Sequence, residues 1–380
     1  MPIRATWRTT DRPKPGSLSS AGGSVGVTGF SKMHGLEKPE DVSQPQRSKW
    51  PVNTQSGDPM KFGDVVKSIL VLSVGLFCSC AHYQCDPAYV GPKTRNAEML
   101  AYYSYPKQTI EASIEVLREK KRYVIERVEF PSAINVFGTE NIKVDFYVQK
   151  KQGKFPTILV WPIPDDADFC ARGFARHFAS NGFNCAVIHN RKVDLDDVVS
   201  AEQVEDCFRQ TVLDGRQVLD YLVEREEVDA NKLGGLGLSL GGIRASVVSA
   251  VDERLKCSVV GLAGGSMADI ALGSKLGGLR DYIKGLTEMG VSSDVIRAEL
   301  SDKVATDPVA LAEYVDARDV LMYIAAFDNV IPRKCGDKLW KAIGEPEVVY
   351  LFSGHFTSLL YLPCAERESL KFFKRKFQVR

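Results

Sequence analysis

The sequence lacks an excess of either charge. Its 49 Lys and Arg residues are balanced by 48 Asp and Glu residues, so the formal net charge is only +1 over 380 residues. It also lacks a basic stripe interleaved with aromatic residues, which is the electrostatic footprint of a nucleic-acid-binding surface. We therefore expect no nucleic acid among the partners of this protein.

Metal-binding patterns are missing as well. The nine cysteines contain no C-x-x-C pair, and no Cys and His residues have the spacing of zinc ligands. In an exported protein some of them could pair, but several lie in apolar segments, where buried free cysteine is the commoner state. The sequence therefore predicts no metal and leaves the disulfide pairing open.

Large apolar side chains are scarce in residues 1–59. The stretch "DRPKPGSLSSAGGSVGVTGF" is rich in Pro, Gly and Ser, and such a composition cannot offset the entropy lost on ordering. We predict no fold there. The segment is either a disordered extension or sequence upstream of a true start at Met60.

Residues 60–80 have the layout of a secretory signal peptide, with two lysines, then the apolar run Ile69–Phe77, then small residues and cysteines. The run is shorter than the roughly 20 residues of a membrane-spanning helix. A buried core helix is the alternative. The final Phe-Cys-Ser-Cys resembles a bacterial lipobox, which implies a lipid on Cys80, or else on Cys78. We then expect a protein of the bacterial cell envelope, periplasmic or held at the membrane by a lipid anchor.

From Tyr123 onward, short β-rich runs alternate with helical stretches. Two runs, 123–130 and 142–148, alternate apolar and polar residues, which is typical of an antiparallel pair with one wet face. Six later runs are almost continuously apolar, as in strands buried on both faces: 157–163, 185–190, 233–239, 257–264, 320–328 and 347–354. The clearest helix is 200–226, which Ser200 and Gln203 can begin as a capping box. This order predicts a three-layer α/β domain over 123–380 with a mostly parallel central sheet, after an N-terminal extension at 81–122.

The sequence "GLGLSLGG" at 235–242 places Ser239 where a strand turns into a helix beginning near Leu240. A G-x-S-x-G string in that context is the nucleophile elbow, in which a tight turn exposes the serine hydroxyl above the sheet. A Ser/Gly turn without chemistry is the alternative. We expect Ser239 to be the nucleophile.

A nucleophilic serine needs a general base and an acid that orients the base. Of the five histidines, His355 follows the last apolar strand and reaches the same sheet edge as Ser239. His189, at the end of another strand, is an outside candidate, whereas His177 lies on a helical stretch. Asp328 ends the strand that precedes His355 along the chain, so the predicted triad is Ser239, Asp328 and His355.

These motifs together resemble the α/β-hydrolase fold, whose members carry serine elbow, acid and histidine in that order. The stretch "VLDGRQVLDYLVEREEVDANKLGGLGLSLGGIRAS" is especially similar to the dienelactone-hydrolase and peptidase-like esterase branches. The resemblance implies an ester or acyl substrate, no cofactor, and an oxyanion hole formed by backbone N–H groups. Leu240 would supply one donor. The other comes from the loop "WPIPDDADF", where two prolines have no N–H, so we expect Ile163 to donate.

Two interpretations of function remain open. The first is a serine hydrolase that acts on an ester or related acyl bond in the envelope. The second is a binding or scaffold lipoprotein that kept the fold and lost turnover. A helical insertion is predicted at about 266–316, because this connection is far longer than usual. Its apolar stripe either lines a lid over the site or packs on the body.

Overall fold

The protein is described by a computed structural model over residues 80–138, 140–163, 169–191 and 200–379. The predictions for residues 1–59 and 60–79 fall outside these ranges. Within them, one sheet contains ten strands: β1 (Ala81–Tyr83), β2 (Ser113–Glu119), β3 (Tyr123–Phe130), β4 (Ile142–Gln149), β5 (Phe155–Trp161), β6 (Asn184–Ile188), β7 (Val228–Leu238), β8 (Leu255–Gly261), β9 (Val320–Ala325) and β10 (Glu347–Leu351).

The strands lie in the order β1-β10-β9-β8-β7-β5-β6-β4-β3-β2. The six strands from β5 to β10 run parallel to one another. Strands β2, β3 and β4 are antiparallel, and β4 pairs antiparallel with β6. The predicted architecture, an antiparallel start followed by a parallel sheet, is confirmed.

Residues 81–122, which we predicted as an N-terminal extension, contribute strands to both edges of the same sheet. Strand β1 pairs antiparallel with β10, with Ala81 opposite Tyr350. Strand β2 pairs with β3 at the other edge. All seven residues of β2 are solvent-exposed, so this strand is held by its pairing with β3 and not by burial in the core.

Helices cover both faces of the sheet and make the other two layers. They are α1 (Ala97–Tyr102), α2 (Phe169–Ser180), α3 (Ala201–Val223), α4 (Leu240–Val251), α5 (Met267–Gly273), α6 (Gly277–Glu288), α7 (Ser293–Lys303), α8 (Pro308–Leu311), α9 (Arg333–Ile343) and α10 (Leu362–Phe377). One apolar core contains buried side chains of α3, α4 and α9, and a second contains the aromatic side chains of α2 and α10.

Helix α3 begins with the predicted capping box. The Ser200 hydroxyl accepts a hydrogen bond from the backbone N–H of Gln203, and the Gln203 side chain accepts one from the backbone of Ser200. Farther along, Asp214 accepts two hydrogen bonds from the Arg191 guanidinium, at 2.5 and 2.8 Å. Because a bidentate arginine–carboxylate pair has a fixed geometry, Asp214 fixes the backbone that follows β6, at the edge of the sheet where a site is expected.

The connection between β8 and β9 is helical, as predicted, and contains α5 to α8. Helix α6 buries none of its residues, and two apolar residues of the insertion that we counted in its predicted stripe, Tyr282 and Leu276, are exposed. The insertion joins the loop after β9 through the N–H of Lys275, which donates to the carbonyl of Asn329 at 2.7 Å. Whether α6 closes over a substrate stays a prediction.

Two further observations concern only the residues within the described ranges. The eight cysteines there, from Cys80 to Cys364, are all free. None of the helices there combines the length and the apolar character that crossing a membrane requires.

Candidate active site

Ser239 occupies a strained backbone position between β7 and α4. Its φ of 55° and ψ of −125° lie in a region that residues with a Cβ rarely adopt. The Ser239 N–H donates to the carbonyl of Gly261 at 2.8 Å, and the Ser239 carbonyl accepts from the N–H of Ile243 at 3.0 Å. Neighbouring strand and helix therefore hold both sides of the turn, as the predicted elbow requires.

The two glycines of the elbow are required by close backbone contacts. A Cβ on Gly237 would collide with the carbonyl of Gly241, and a Cβ on Gly241 would collide with the carbonyl of Trp161 at the end of β5. The second contact brings the loop after β5 against the first turn of α4. The elbow is therefore in contact with the start of the predicted oxyanion loop, at Trp161 and Pro162.

Ser239, His355 and Asp328 form a continuous hydrogen-bonded chain. The Nε2 atom of His355 lies 2.9 Å from the Ser239 hydroxyl oxygen, although 116 residues separate them in sequence. The Nδ1 atom lies 2.7 Å from Oδ2 of Asp328. Asp328 and His355 are both buried. The structure therefore brings the three predicted residues together, each just past the carboxyl end of a parallel strand.

Both oxygens of the Asp328 carboxylate make contacts that hold the group in place. While Oδ2 faces His355, Oδ1 accepts hydrogen bonds from the backbone N–H groups of Val330, at 2.9 Å, and Ile331, at 3.0 Å. A carboxylate fixed in this way favours the tautomer in which His355 carries its proton on Nδ1. The Nε2 atom is then free to accept the hydroxyl proton of Ser239.

Comparison with solved structures identifies the architecture. An acetyl xylan esterase from Paenibacillus sp. R4 is similar with a TM-score of 0.59 and 18% sequence identity, over 73% of this chain and 92% of that chain. Acetyl xylan esterase 1 from Thermoanaerobacterium sp. JW/SL YS485 is similar with a TM-score of 0.56 and 15% identity, over 76% and 99%. The protein has the α/β-hydrolase fold. At such low identity the likeness concerns the fold alone.

Similarity in sequence covers a smaller part of the chain than similarity in structure. Two uncharacterized proteins from two strains of Mycobacterium tuberculosis are 29% identical to this chain over 147 residues, which is 38% of this chain and 33% of theirs. The chain thus covers about a third of the length of the curated relatives it matches. No family model matches the sequence.

The other two histidines considered from the sequence, His189 and His177, are not the ones that contact Ser239, whose hydroxyl faces His355. Nε2 of His189 is 3.2 Å from Oδ1 of Asp145 on β4, and this carboxylate also contacts Arg127. Burial tends to raise the pKa of Asp145, but the neighbouring Arg127 and His189 outweigh it and hold that pKa below its usual value. His177 is half-buried on α2. Neither histidine is placed to take a proton from the elbow.

The two residues predicted for the oxyanion hole flank the elbow. Leu240 is the first residue of α4, and Ile163 follows β5, beside the contact between Trp161 and Gly241. The rest of the predicted loop, 164–168, lies outside the described residues.

A side-chain clamp that the sequence did not predict holds Ile163. Nδ2 of Asn190 donates to the Ile163 carbonyl at 2.8 Å, and Nη1 of Arg244 donates to Oδ1 of Asn190. The guanidinium therefore fixes which end of the amide faces Ile163. Asn190 ends the run "CAVIHN" at the carboxyl end of a parallel strand, a position that could have drawn attention to it.

A cavity of about 30 Å³ adjoins this clamp and is lined by residues including Asn190, Arg244, Trp161 and Cys207. Its volume suits one or two water molecules. Nε1 of Trp161 and Nε of Arg244 are buried without a hydrogen-bond partner in the described part of the chain. Within that part, no three His, Cys, Asp or Glu residues are grouped so that they could hold a metal ion.

The strain at Ser239 can be measured without any substrate. We expect the free energy of unfolding of Ser239→Gly to exceed that of Ser239→Ala by about 1 kcal/mol, because glycine adopts positive φ freely and alanine keeps the Cβ. Urea denaturation of the two variants measures the difference. Equal stabilities would show that the elbow conformation is not strained in solution.

Proposed function

We propose that the protein is a serine hydrolase that cleaves an ester or a related acyl bond. The single observation that carries the proposal is the hydrogen-bonded chain from Ser239 through His355 to Asp328 on an elbow of the α/β-hydrolase fold. That the similar solved structures include acetyl xylan esterases supports an ester as substrate.

The geometry supports a two-step reaction. Ser239 attacks the substrate carbonyl while His355 Nε2 takes its proton, and the resulting imidazolium is stabilised by Asp328. Collapse of the tetrahedral intermediate breaks the acyl–oxygen bond, and His355 returns the proton to the leaving alcohol. Water then attacks the acyl-enzyme by the same route, which releases the acid and restores Ser239.

The oxyanion that forms in each step needs preorganised donors. We assign these to the backbone N–H groups of Leu240 and Ile163. Because the neighbouring Pro162 has no N–H, the orientation of the Ile163 peptide matters more than in a loop with several donors. Asn190 and Arg244 act as positioning residues: Asn190 holds the Ile163 carbonyl, on the other side of the Cα from the donating N–H, and Arg244 holds Asn190.

A catalytically silent scaffold is the less favoured alternative. The strain at Ser239 lowers stability and needs support from two glycine contacts. Strained backbone of this kind is typical of functional sites, and a binding scaffold gains nothing from it.

We further propose that the protein acts in a bacterial cell envelope with a lipid on Cys80. The basic start, the apolar run Ile69–Phe77 and the terminal cysteines of the sequence support this location. Mass spectrometry of the N-terminus of the membrane-bound native protein is expected to find an acylated Cys80. Membrane-bound chains that still carry peptides from residues 1–50 would contradict it.

The catalytic proposal predicts the behaviour of a serine variant. Ser239→Ala is expected to lower the hydrolysis of p-nitrophenyl butyrate at least about a thousandfold, because the nucleophile is lost. Its thermal midpoint is expected to change little. Ser246→Ala is the matched control, since Ser246 lies on the same helix and its hydroxyl donates to the carbonyl of Ile243 within that helix. Full activity of Ser239→Ala would refute the mechanism.

If Asn190 positions the oxyanion loop, its replacement is expected to weaken stabilisation of the transition state and to leave substrate binding nearly unchanged. In Asn190→Asp the carboxylate still pairs with Arg244 but cannot donate to the Ile163 carbonyl, which it repels. We expect kcat to fall about tenfold to a hundredfold while KM stays within about threefold. The affinity for a boronic acid that mimics the tetrahedral intermediate is expected to fall in parallel.

Asn181→Asp is the control for this change. The Asn181 amide also donates to a backbone carbonyl, that of His177 at 2.7 Å, but on the exposed end of α2. It is expected to leave kcat and inhibitor affinity unchanged. If Asn190→Asp raises KM and leaves kcat intact, Asn190 contacts the substrate instead of positioning the loop.

A further inference from the structure

The edge of the site carries an exposed apolar surface, which we name the aromatic rim. Its five side chains each expose between 41% and 65% of their area to solvent: Phe327, Phe352, Phe356, Leu359 and Leu360. Together they present on the order of 500 Å² of apolar area, comparable to the largest patches of monomeric proteins, which are often functional.

The rim adjoins the base of the site. The rings of Phe327 and Phe352 pack edge to face with centroids 4.8 Å apart, and the N–H of Phe327 donates to the carbonyl of Ser353. The ring of Phe356 lies 5.5 Å from that of His355. The two leucines belong to the 3₁₀ helix Phe356–Tyr361. Both loops that carry Asp328 and His355 therefore display apolar side chains outward.

The shape of this surface limits its occupant. The five side chains project to solvent, so the acyl chain of one small ester could cover only part of them. A partner that buries all five at once must itself present an extended apolar layer. The surface of a lipid bilayer does so, and aromatic side chains insert favourably at its boundary.

The path of the chain brings a predicted membrane attachment to the same place. Strand β1 begins directly after Cys80 and pairs antiparallel with β10, with Ala81 opposite Tyr350, so Cys80 lies beside the end of β10, where the chain continues into Phe352. In the sequence, the apolar run Ile69–Phe77 ends three residues before Cys80. A lipid on Cys80, or insertion of that run, would hold the rim against a membrane.

We propose that the aromatic rim seats on a phospholipid bilayer, so that Ser239 and His355 face the membrane surface. If the protein is the hydrolase proposed above, its substrate is then an ester present in or at the lipid layer, and this part of the inference rests on the proposed function. The seating itself is a separate property of the fold.

Quenching by brominated lipids tests the seating without catalysis. The full-length chain with both Ser239→Ala and Phe352→Trp is mixed with vesicles of phosphatidylethanolamine and phosphatidylglycerol that carry brominated acyl chains. Its emission, above the background of the four native tryptophans, is expected to be quenched at least about twice as strongly as that of Val90→Trp. Val90 is 99% exposed and follows Tyr89, which bonds to the carbonyl of Val315 near the start of β9, so it lies at the opposite end of the strands.

Three results would overturn the proposal. Equal quenching at both positions would mean that the rim has no preferred contact with lipid. Emission of Phe352→Trp that is blue-shifted without vesicles and unaffected by them would mean that the chain's own apolar segment covers the rim. If the protein is a dimer without vesicles and Phe352→Ser/Leu360→Ser makes it a monomer, the rim is the contact surface for a second copy of the chain.

Activity measurements then test the consequence for the substrate. With Ser239 intact, Phe352→Ser/Leu360→Ser is expected to hydrolyse soluble p-nitrophenyl butyrate within about twofold of the parent, but a long-chain 4-methylumbelliferyl ester in vesicles at least about tenfold more slowly. Val90→Ser is the control and is expected to change neither rate. Equal loss on both substrates would mean that the rim binds substrate directly. If neither ester is hydrolysed by the parent, the proposed function fails while the quenching result still stands.

Discussion

The close backbone contact between the elbow and its neighbours is the constraint on which the rest of the site depends. Ser239 keeps a positive φ only because Gly237 and Gly241 allow the strand, the turn and the first turn of α4 to touch. The same contact holds the backbone of Trp161 and Pro162 against the first turn of α4. The nucleophile and the backbone next to both predicted oxyanion donors therefore share one packing arrangement, which a side chain added at either glycine would disturb.

Much of this arrangement could be predicted from the sequence, because it depends on local patterns. Continuous apolar runs mark buried parallel strands, and residues that follow such strands meet at one edge of the sheet. That rule alone brought Ser239, Asp328 and His355 together. The confirmed capping box at Ser200 is equally local.

The parts that were not predicted depend on contacts between distant segments. Strand β2 is exposed along its whole length, so its place in the sheet depends on pairing with β3, and β1 is too short for periodicity to detect. The clamp of Ile163 by Asn190 and Arg244 joins three separate elements. The aromatic rim becomes visible only in the structure, where Phe327 and Phe352, which are distant in sequence, pack edge to face. Tertiary contacts of this kind decide how a shared fold acquires a particular substrate.

The central claim is that His355 activates Ser239 as a nucleophile. The most direct measurement is labelling of the full-length protein with a fluorophosphonate, followed by peptide mass spectrometry. The account predicts a single adduct on Ser239, formed at least about a hundredfold more slowly in His355→Gln, because the hydroxyl then lacks its base. An unlabelled Ser239, or labelling that is equally fast without His355, would contradict it.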